Sequence, residues 1–302
     1  INNGFKKAFS KLVSLILNST DQKRVGQIKL NEIKGMIESF SIKEEKFINE
    51  IYYVNLGVSF NKKKIYNYLE KKNIFPSQIK NEKFLFLPLI IDENKNNIII
   101  YSDNPIYEKW NLDTNKNYLI NFLLPTEDLE DLNFIKNNID NIENYNFQEI
   151  IKKYYLNNSI ISIIFKNKDD IKVLSKIYIE DKEIILNNTF KSYNFNNKEE
   201  LNYFIEELKM IYEDLWKKQN EINTSIKLPL IIKIDNQNLS ISLKIENIFK
   251  EIDLISYYSI KNFDKDYIYY EIIFNGTPQN FIKIMNDRNY NFDIQNKIWI
   301  LK

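Results

Sequence analysis

Residues 84–91 read Phe-Leu-Phe-Leu-Pro-Leu-Ile-Ile, and this apolar run indicates the architecture of the middle of the chain. A continuous apolar run of this length predicts a strand that is buried on both faces, as strands of parallel sheets are. Pro88 removes one hydrogen-bond donor from the ladder, so it indicates an edge or an irregularity at that point. Further apolar runs at 98–101, 120–124 and 160–165 are separated by helical patterns. This alternation predicts a sheet with crossover helices.

From these patterns we predict a mixed fold, α+β or α/β, built from three small mixed α/β units. The N-terminal α/β unit covers residues 1–75, and Pro76 marks its end. A central α/β domain covers residues 84–222 and ends in a long helix from about Lys198 to Lys218, whose apolar residues form one face. The third unit covers residues 225–302.

The N-terminal unit begins with a helix, because apolar residues recur at helical spacing over residues 5–16. Residues 42–48 and 51–60 then read as the two strands of a hairpin. Asn61 is a residue type that caps helix N-termini, so a helix is expected from there to about Leu69.

The last unit reads as strand, helix, strand, strand, helix, strand. Residues 230–235 and 239–243 are both expected to be extended, either as the two strands of a hairpin or as one strand. A helix is expected at 245–252, then a hairpin of 254–262 and 267–275, a helix after Thr277, and a strand at 298–301. This order approximates the βαββαβ pattern of a ferredoxin-like unit.

The composition excludes several classes of enzyme. The 302 residues include no His and no Cys, so imidazole bases, thiolate nucleophiles, disulfides and Cys-ligated metals are absent. The five Gly residues are scattered, so no glycine-rich phosphate loop is present and no cofactor is expected. The 42 basic and 41 acidic side chains give a net charge of +1, which argues against a general nucleic-acid binder.

Acidic residues are most concentrated at 127–131. Asp128, Glu130 and Asp131 are candidate ligands for a hard cation such as Mg²⁺ or Ca²⁺, since such ions prefer carboxylate oxygens. The alternative is structural, because acidic side chains near a helix N-terminus interact favourably with the helix dipole.

Two groups of aromatic residues are candidates for binding. Asp103, Tyr107 and Trp110 surround a loop beside a buried strand and are candidate ligand-binding residues, although such aromatics more commonly fix a loop onto the core. In the last hairpin, alternation places Tyr267 and Tyr269 on one face and Tyr270 on the other. An aromatic sheet face is one way to bind RNA, but packing within the sheet is the commoner role.

An ordered series of short phrases runs through nearly the whole chain. The phrases are Ala8-Phe9 with Leu12, Tyr53 to Phe60 with Asn61, Leu85 to Leu89, Asn104-Pro105 to Trp110, Leu124-Pro125 to Leu132, Leu215-Trp216-Lys217, and Gly276 to Trp299. In this order they resemble the bacterial family called domain of unknown function 2066. The resemblance implies an uncharacterised protein of Gram-negative bacteria, usually made with a signal sequence, and it brings no activity with it.

From these observations we expect a non-enzymatic protein of the periplasm or cell envelope that binds protein partners or acts as a scaffold. The sequence starts at Ile1 without Met, so we expect a longer gene product, and no stretch approaches the roughly 20 apolar residues of a membrane-spanning helix. Two alternatives stay open. One is a carboxylate- or metal-dependent hydrolase that uses the acids at 127–131, and the other is a nucleic-acid or nucleotide binder that uses the aromatic C-terminal sheet.

Overall fold

The computed structural model describes residues 1–93, 97–112, 118–167, 169–180, 182–236 and 239–302. The chain forms two compact units, one of residues Ile1–Gln78 with Lys217–Lys302 and the other of residues Ile79–Trp216. In the described ranges helices and strands are both abundant and the strands form three sheets, so the predicted mixed α+β class is confirmed. The boundaries 1–75, 84–222 and 225–302 stay a prediction.

The N-terminal part of the first unit contains three helices, a hairpin and a fourth helix. These are α1 (Asn2–Ile16), α2 (Ser19–Val25), α3 (Leu30–Met36), β1 (Ile37–Ile48), β2 (Ile51–Phe60) and α4 (Lys62–Lys71). Residues Phe5, Phe9 and Val13 of α1 are buried at four-residue spacing, which is why this segment forms an amphipathic helix. The predicted cap is confirmed, since the Asn61 side chain accepts a hydrogen bond from the Lys64 amide at 3.1 Å.

The second unit is built around a six-stranded sheet. Its elements are β3 (Glu82–Asp92), β4 (Asn97–Ile99), α5 (Pro105–Lys109), β5 (Ile120–Leu123), α6 (Leu129–Asn137), α7 (Gln148–Lys152), β6 (Asn158–Lys166), β7 (Asp170–Ile179), β8 (Lys182–Lys191) and most of α8 (Lys198–Gln219). The strand order is β4-β3-β6-β7-β8, and β5 also pairs with β3. Strand β3 is parallel to β5 and β6, as crossover helices require.

Strand β3 is buried on both faces, which confirms the prediction from its apolar run. Leu85, Leu87 and Leu89 belong to a core that includes residues of α6 and α7. On the other face, Phe84 packs edge-to-face on Trp216 with ring centroids 5.3 Å apart, and α8 covers this face.

Pro88 is accommodated by a gap at the edge of β3. Among the described residues, β5 pairs with β3 only as far as Leu85, and β4 pairs with it only from Ile90. The Asn104 side-chain amide enters this gap and donates a hydrogen bond to the Pro88 carbonyl at 3.0 Å. The backbone N–H and C=O groups of one strand residue point to the same side of the strand. An N–H group at position 88 would therefore have pointed into this gap, so the lack of one in Pro88 costs the sheet no hydrogen bond.

The C-terminal part of the first unit contains a five-stranded sheet and two helices. Its elements are β9 (Leu228–Asp235), α9 (Leu239–Glu251), β10 (Ile255–Phe263), β11 (Tyr267–Phe274), α10 (Pro278–Asn286), β12 (Phe292–Asp293) and β13 (Ile298–Leu301), in the sheet order β10-β11-β9-β13-β12. The predicted βαββαβ order is present, with the short strand β12 added before the last strand. The ferredoxin-like assignment itself stays a prediction.

The strand expected at 239–243 is wrong, because these residues form the first turns of α9. The sequence Leu-Ser-Ile-Ser-Leu alternates like a strand, but Ile241, Ile245, Ile248 and Phe249 recur at helical spacing and contact the core of this sheet. The helical spacing of apolar residues over 241–249 therefore predicts this segment better than the strand-like alternation at 239–243.

Candidate functional site

The β1–β2 hairpin, called the arm below, forms a separate two-stranded sheet among the described residues. Its strands are joined by the two residues Asn49 and Glu50, whose φ angles are 49° and 62°. Positive φ at both residues is the geometry of a type I′ turn, which matches the twist of a hairpin. The predicted hairpin is confirmed, and β1 begins five residues earlier than expected.

A bulge gives the arm one apolar face. Phe47 is paired with Tyr52 and Ile42 with Leu56, and a register shift lies between Ile42 and Glu44. Residues directly opposite each other in the pairing have their side chains on the same face of the hairpin. Because the bulge adds one residue to β1, Ile42 and Phe47 lie on the same face although they are five positions apart. The apolar face of the arm therefore consists of Phe40, Ile42, Phe47, Tyr52, Val54, Leu56, Val58 and Phe60, together with Glu45.

Helix α1 packs on the inner half of this apolar face. Phe5 contacts Phe40 edge-to-face with ring centroids 5.2 Å apart, and Phe9 contacts Phe60 at 6.0 Å. Gly4 lies so close to Leu56 that an added Cβ would overlap the Leu56 side chain. The absence of a side chain at Gly4 therefore lets the first turn of the helix approach the arm.

The outer half of the apolar face is exposed, and every residue from Glu38 to Tyr53 is exposed to solvent. Phe47 is 72% exposed and Tyr52 is 56% exposed, and the Tyr52 hydroxyl donates a hydrogen bond to the Glu45 carboxylate. Exposed apolar residues that form one patch are typical of interaction sites. A two-stranded hairpin is also marginally stable by itself, so a partner would stabilise it.

The opposite face of the arm is mixed. Ser41, Glu44 and Lys46 make its inner part polar, and the Lys46 ammonium lies 2.6 Å from the Glu44 carboxylate. Ile48 and Ile51, which are 51% and 54% exposed, lie on this face beside the turn. Tyr53, paired with Lys46, is 52% exposed on this face and offers a comparison with Tyr52. The two faces are similarly accessible near the turn, and they differ in that only one continues into the apolar surface that α1 covers.

The three candidate ligand-binding residues after β4 do not converge. Trp110 is fully buried and stacks on Phe86 at 3.8 Å, on the α8 side of the sheet. Tyr107 packs with the core on the opposite side and donates a hydrogen bond from its hydroxyl to the Pro125 carbonyl at 2.6 Å. Asp103 is exposed. The two aromatic residues thus anchor the loop, and ligand binding by the three residues stays a prediction.

The acids at 127–131 have structural roles. Asp128 is the N-cap of α6 and accepts hydrogen bonds from the Glu130 and Asp131 amides at 2.8 and 3.3 Å. Lys153 lies 2.8 Å from a carboxylate oxygen of both Asp128 and Asp131. The hydrogen bond from Lys153, followed by those from the two backbone amides, lowers the pKa of Asp128.

Within the described part of the chain, no three acidic groups come together in a way that would hold a metal ion. The Lys153 ammonium instead supplies the positive charge between Asp128 and Asp131. Metal binding by Asp128, Glu130 and Asp131 stays a prediction that this geometry does not favour.

Two buried polar atoms near these acids make no hydrogen bond among the described residues. They are the second carboxylate oxygen of Asp131 and the hydroxyl of Tyr101, and burial raises the pKa of Tyr101. Tyr101 also has a φ of 55°, which is uncommon for a tyrosine.

The C-terminal sheet has an inner face under α9 and α10 and an outer face of different character. Tyr270 is buried on the inner face, whereas Tyr267 and Tyr269 lie on the outer face near Lys233, as alternation predicted. The Lys233 ammonium lies 3.5 Å from the centre of the Tyr267 ring. The outer face therefore combines aromatic rings with a cation.

Compared with known proteins, the chain matches no family model, no curated protein and no solved structure. The resemblance to the domain of unknown function 2066 family therefore stays a prediction. None of the helices in the described ranges has both the length and the apolar character that crossing a bilayer requires.

Residues 42–48 and 51–60 are recognisable as a hairpin from the sequence, but the residues that share its apolar face are not. The alternation of β1 breaks at Lys43, so Ile42 and Phe47 appear to point to opposite faces when the strand is read alone. Only the pairing register with β2 shows that they share a face. The separation of Ile42 and Phe47 by five positions, across the charged residues 43–46, is the sequence signal that indicates a bulge.

Proposed function

We propose that this chain is a non-enzymatic protein-binding module and that the outer half of the arm is its binding surface. The observation that carries the proposal is the apolar patch of the exposed residues Ile42, Phe47 and Tyr52 with the partly exposed Val54 on one face of the hairpin. Apolar patches of this kind on soluble domains mark interaction sites. Aromatic residues are also enriched among the residues that dominate the energy of protein interfaces.

Binding is a better explanation of the chain than catalysis. The sequence offers no imidazole or thiol, and the carboxylates of Asp128 and Asp131 are engaged by Lys153. A location in the periplasm or cell envelope, which the family resemblance implies, is part of the same proposal and is tested by cell fractionation with an antibody.

The absence of Cys makes a site-specific test possible. The Phe47→Cys variant carries a photo-crosslinker on the arm, and the Tyr155→Cys variant carries it at a residue that is 94% exposed elsewhere. In extract of the source organism, we expect position 47 to cross-link a defined protein that position 155 does not. Excess unlabelled chain should suppress the product, whereas excess Phe47→Ser chain should not.

The proposal is wrong if both positions recover the same proteins, or if the Phe47→Ser chain competes as well as the unmodified chain. Circular dichroism and the melting temperature show whether each variant is folded. Because Phe47 is exposed, these substitutions should leave the melting temperature nearly unchanged.

A second candidate, a nucleic-acid binder, is favoured by the outer face of the C-terminal sheet. Stacking on Tyr267 and Tyr269 with a contact from Lys233 is the chemistry by which single strands are bound. If it operates, Tyr269→Ala and Lys233→Gln each weaken binding of a labelled oligonucleotide, and the affinity falls with salt. An affinity that does not change with salt excludes binding driven by phosphate.

A further inference from the structure

We propose that the outer half of the arm binds an amphipathic helix of a partner protein, which lies end to end with α1 on the same apolar face. This inference rests on the proposed function and specifies the class of partner. It follows from the continuity of one surface, half of which is already occupied by a helix.

The inner half shows what the apolar face accepts. Phe5 of α1 packs on Phe40, and Phe9, one helical turn later, packs on Phe60. Gly4 lets the helix backbone approach Leu56. The face thus receives apolar side chains at four-residue spacing from a helix with a small residue at the contact.

The outer half continues the same chemistry. Ile42 and Val54 lie next to the part of the face that α1 covers. Phe47 and Tyr52 lie at the other end of the exposed part, beside the turn. Tyr52 and Leu56 are four positions apart on β2, so the free part is about 14 Å long at about 3.4 Å per residue. About nine residues of helix, or two and a half turns, cover that length.

The charge of the arm further restricts the class of helix that it can bind. Residues 37–60 contain four Glu and two Lys, so the arm is acidic. Helix α1 carries Lys6, Lys7 and Lys11 beside its apolar residues. A partner helix with lysines or arginines beside its apolar stripe would have a charge opposite to that of the arm.

Pairing along the β1 edge is less favourable than docking on the face. Register shifts at Ile37–Ser39 and Ile42–Glu44 interrupt β1, and bulges disrupt the regular edge that an added strand needs. The face, in contrast, keeps apolar residues from Phe40 to Phe47 on the same side of the bulge, with Glu45 between Ile42 and Phe47.

The test uses a labelled synthetic peptide with the sequence of residues 2–16, stapled as a helix, and the intact chain. We expect saturable binding by fluorescence anisotropy, and a peptide of the same composition in scrambled order should not bind. Tyr52→Ser and Phe47→Ser should each weaken binding at least tenfold. Tyr53→Ser, on the opposite face with similar exposure, should change it less than twofold.

The inference is overturned if the peptide does not bind, or if Tyr52→Ser and Tyr53→Ser have equal effects. Self-association of the chain in sedimentation, lost in Phe47→Ser, also overturns it in favour of a second copy on the arm. If position 47 cross-links a protein but the peptide does not bind, the helix inference fails and the proposed function stands. If position 47 cross-links nothing specific, the proposed function fails.

Discussion

Asn104 joins two features of the central sheet through one side chain. Asn104 is fully buried. Its side-chain oxygen accepts hydrogen bonds from the Ile106 and Tyr107 backbone amides, and its side-chain nitrogen donates one to the Pro88 carbonyl. The residue thus caps α5 and replaces the missing strand beside Pro88. Both halves of the side-chain amide are needed, one as acceptor and one as donor.

Replacing Asn104 tests both halves. Asn104→Ala loses the cap and leaves the Pro88 carbonyl without this partner, so we expect a loss of about 2–4 kcal/mol in the free energy of unfolding. Asn104→Asp keeps the acceptor but faces the Pro88 carbonyl with an oxygen, so it should also be destabilising. Asn61→Ala, a cap at the start of α4, should cost only about 1 kcal/mol in the same urea titrations. Equal losses for the Ala variants would contradict this role.

Glu50 is a strained residue in the turn of the arm. Its φ of 62° is unfavourable for a residue with a Cβ, and glycine is preferred at this place in a type I′ turn. We expect Glu50→Gly to stabilise the arm by about 1 kcal/mol, measured as slower hydrogen exchange of the arm amides. Asn49→Gly should have a smaller effect, because Asn tolerates the left-handed region. Faster exchange in Glu50→Gly would contradict the turn geometry.

Asp128 gives the stability of the central unit a dependence on acid. Its pKa in the folded chain lies below its unfolded value because Lys153 and two amides stabilise the carboxylate. This stabilisation is present above the unfolded pKa of about 3.9 and is lost as the pH falls through the folded pKa. We therefore expect Asp128→Asn to lower the melting temperature at pH 7, and we expect the difference to shrink as the pH falls below the unfolded pKa of about 3.9. Asp103→Asn, at an exposed residue, is the control, and a difference that persists in acid would refute the prediction.

Helix α8 shows what a periodic pattern predicts and what it misses. The expected range of 198–218 agrees with the observed helix, and Phe204, Leu208 and Tyr212 are buried as expected. Lys209 and Glu213 are also buried, although their residue types suggested the solvated face. Sequence periodicity cannot show this, because the partners that make charge burial possible come from distant segments.

Glu213 makes such a distant contact. Its carboxylate accepts a hydrogen bond from the Ile120 amide at 2.7 Å, at the start of β5. Glu213→Ala leaves that amide unpaired, and we expect a loss of about 1–3 kcal/mol in urea titrations of the whole chain. Tyr203→Ala, on the same helix at a residue that is 66% exposed, should change stability by less than about 0.5 kcal/mol. Similar losses for the two variants would show that Glu213 has no special role.

At the scale of the whole molecule, the first unit is assembled from both ends of the sequence. The Ile222 amide donates to the Pro76 carbonyl at 2.8 Å, and the Gln78 amide donates to the Asn220 carbonyl at 2.9 Å. Tyr66 packs against the buried clusters of both ends. Periodicity and turn residues predicted the elements of each end, but pairings across more than 140 residues leave no local signal in one sequence.

This assembly predicts that residues 1–78 depend on residues 217–302. The N-terminal end has a small core, and domains of this size gain little stability from one core alone. Further contacts come from the other end, including the hydrogen bond from Lys217 to the Ser14 carbonyl at 2.7 Å and ion pairs of Lys62 with Asp253 and of Lys227 with Glu70.

We therefore expect residues 1–78, expressed alone, to melt at a lower temperature than the whole chain, with faster hydrogen exchange in α1 and α4. Adding residues 217–302 in trans should restore the protection, whereas adding residues 79–216 should not. The readout is exchange of the α4 amides, because α4 carries Tyr66 and begins with Lys62. Protection of the isolated segment equal to that in the whole chain would mean that the N-terminal end is an independent domain, as the boundary at residue 75 predicts.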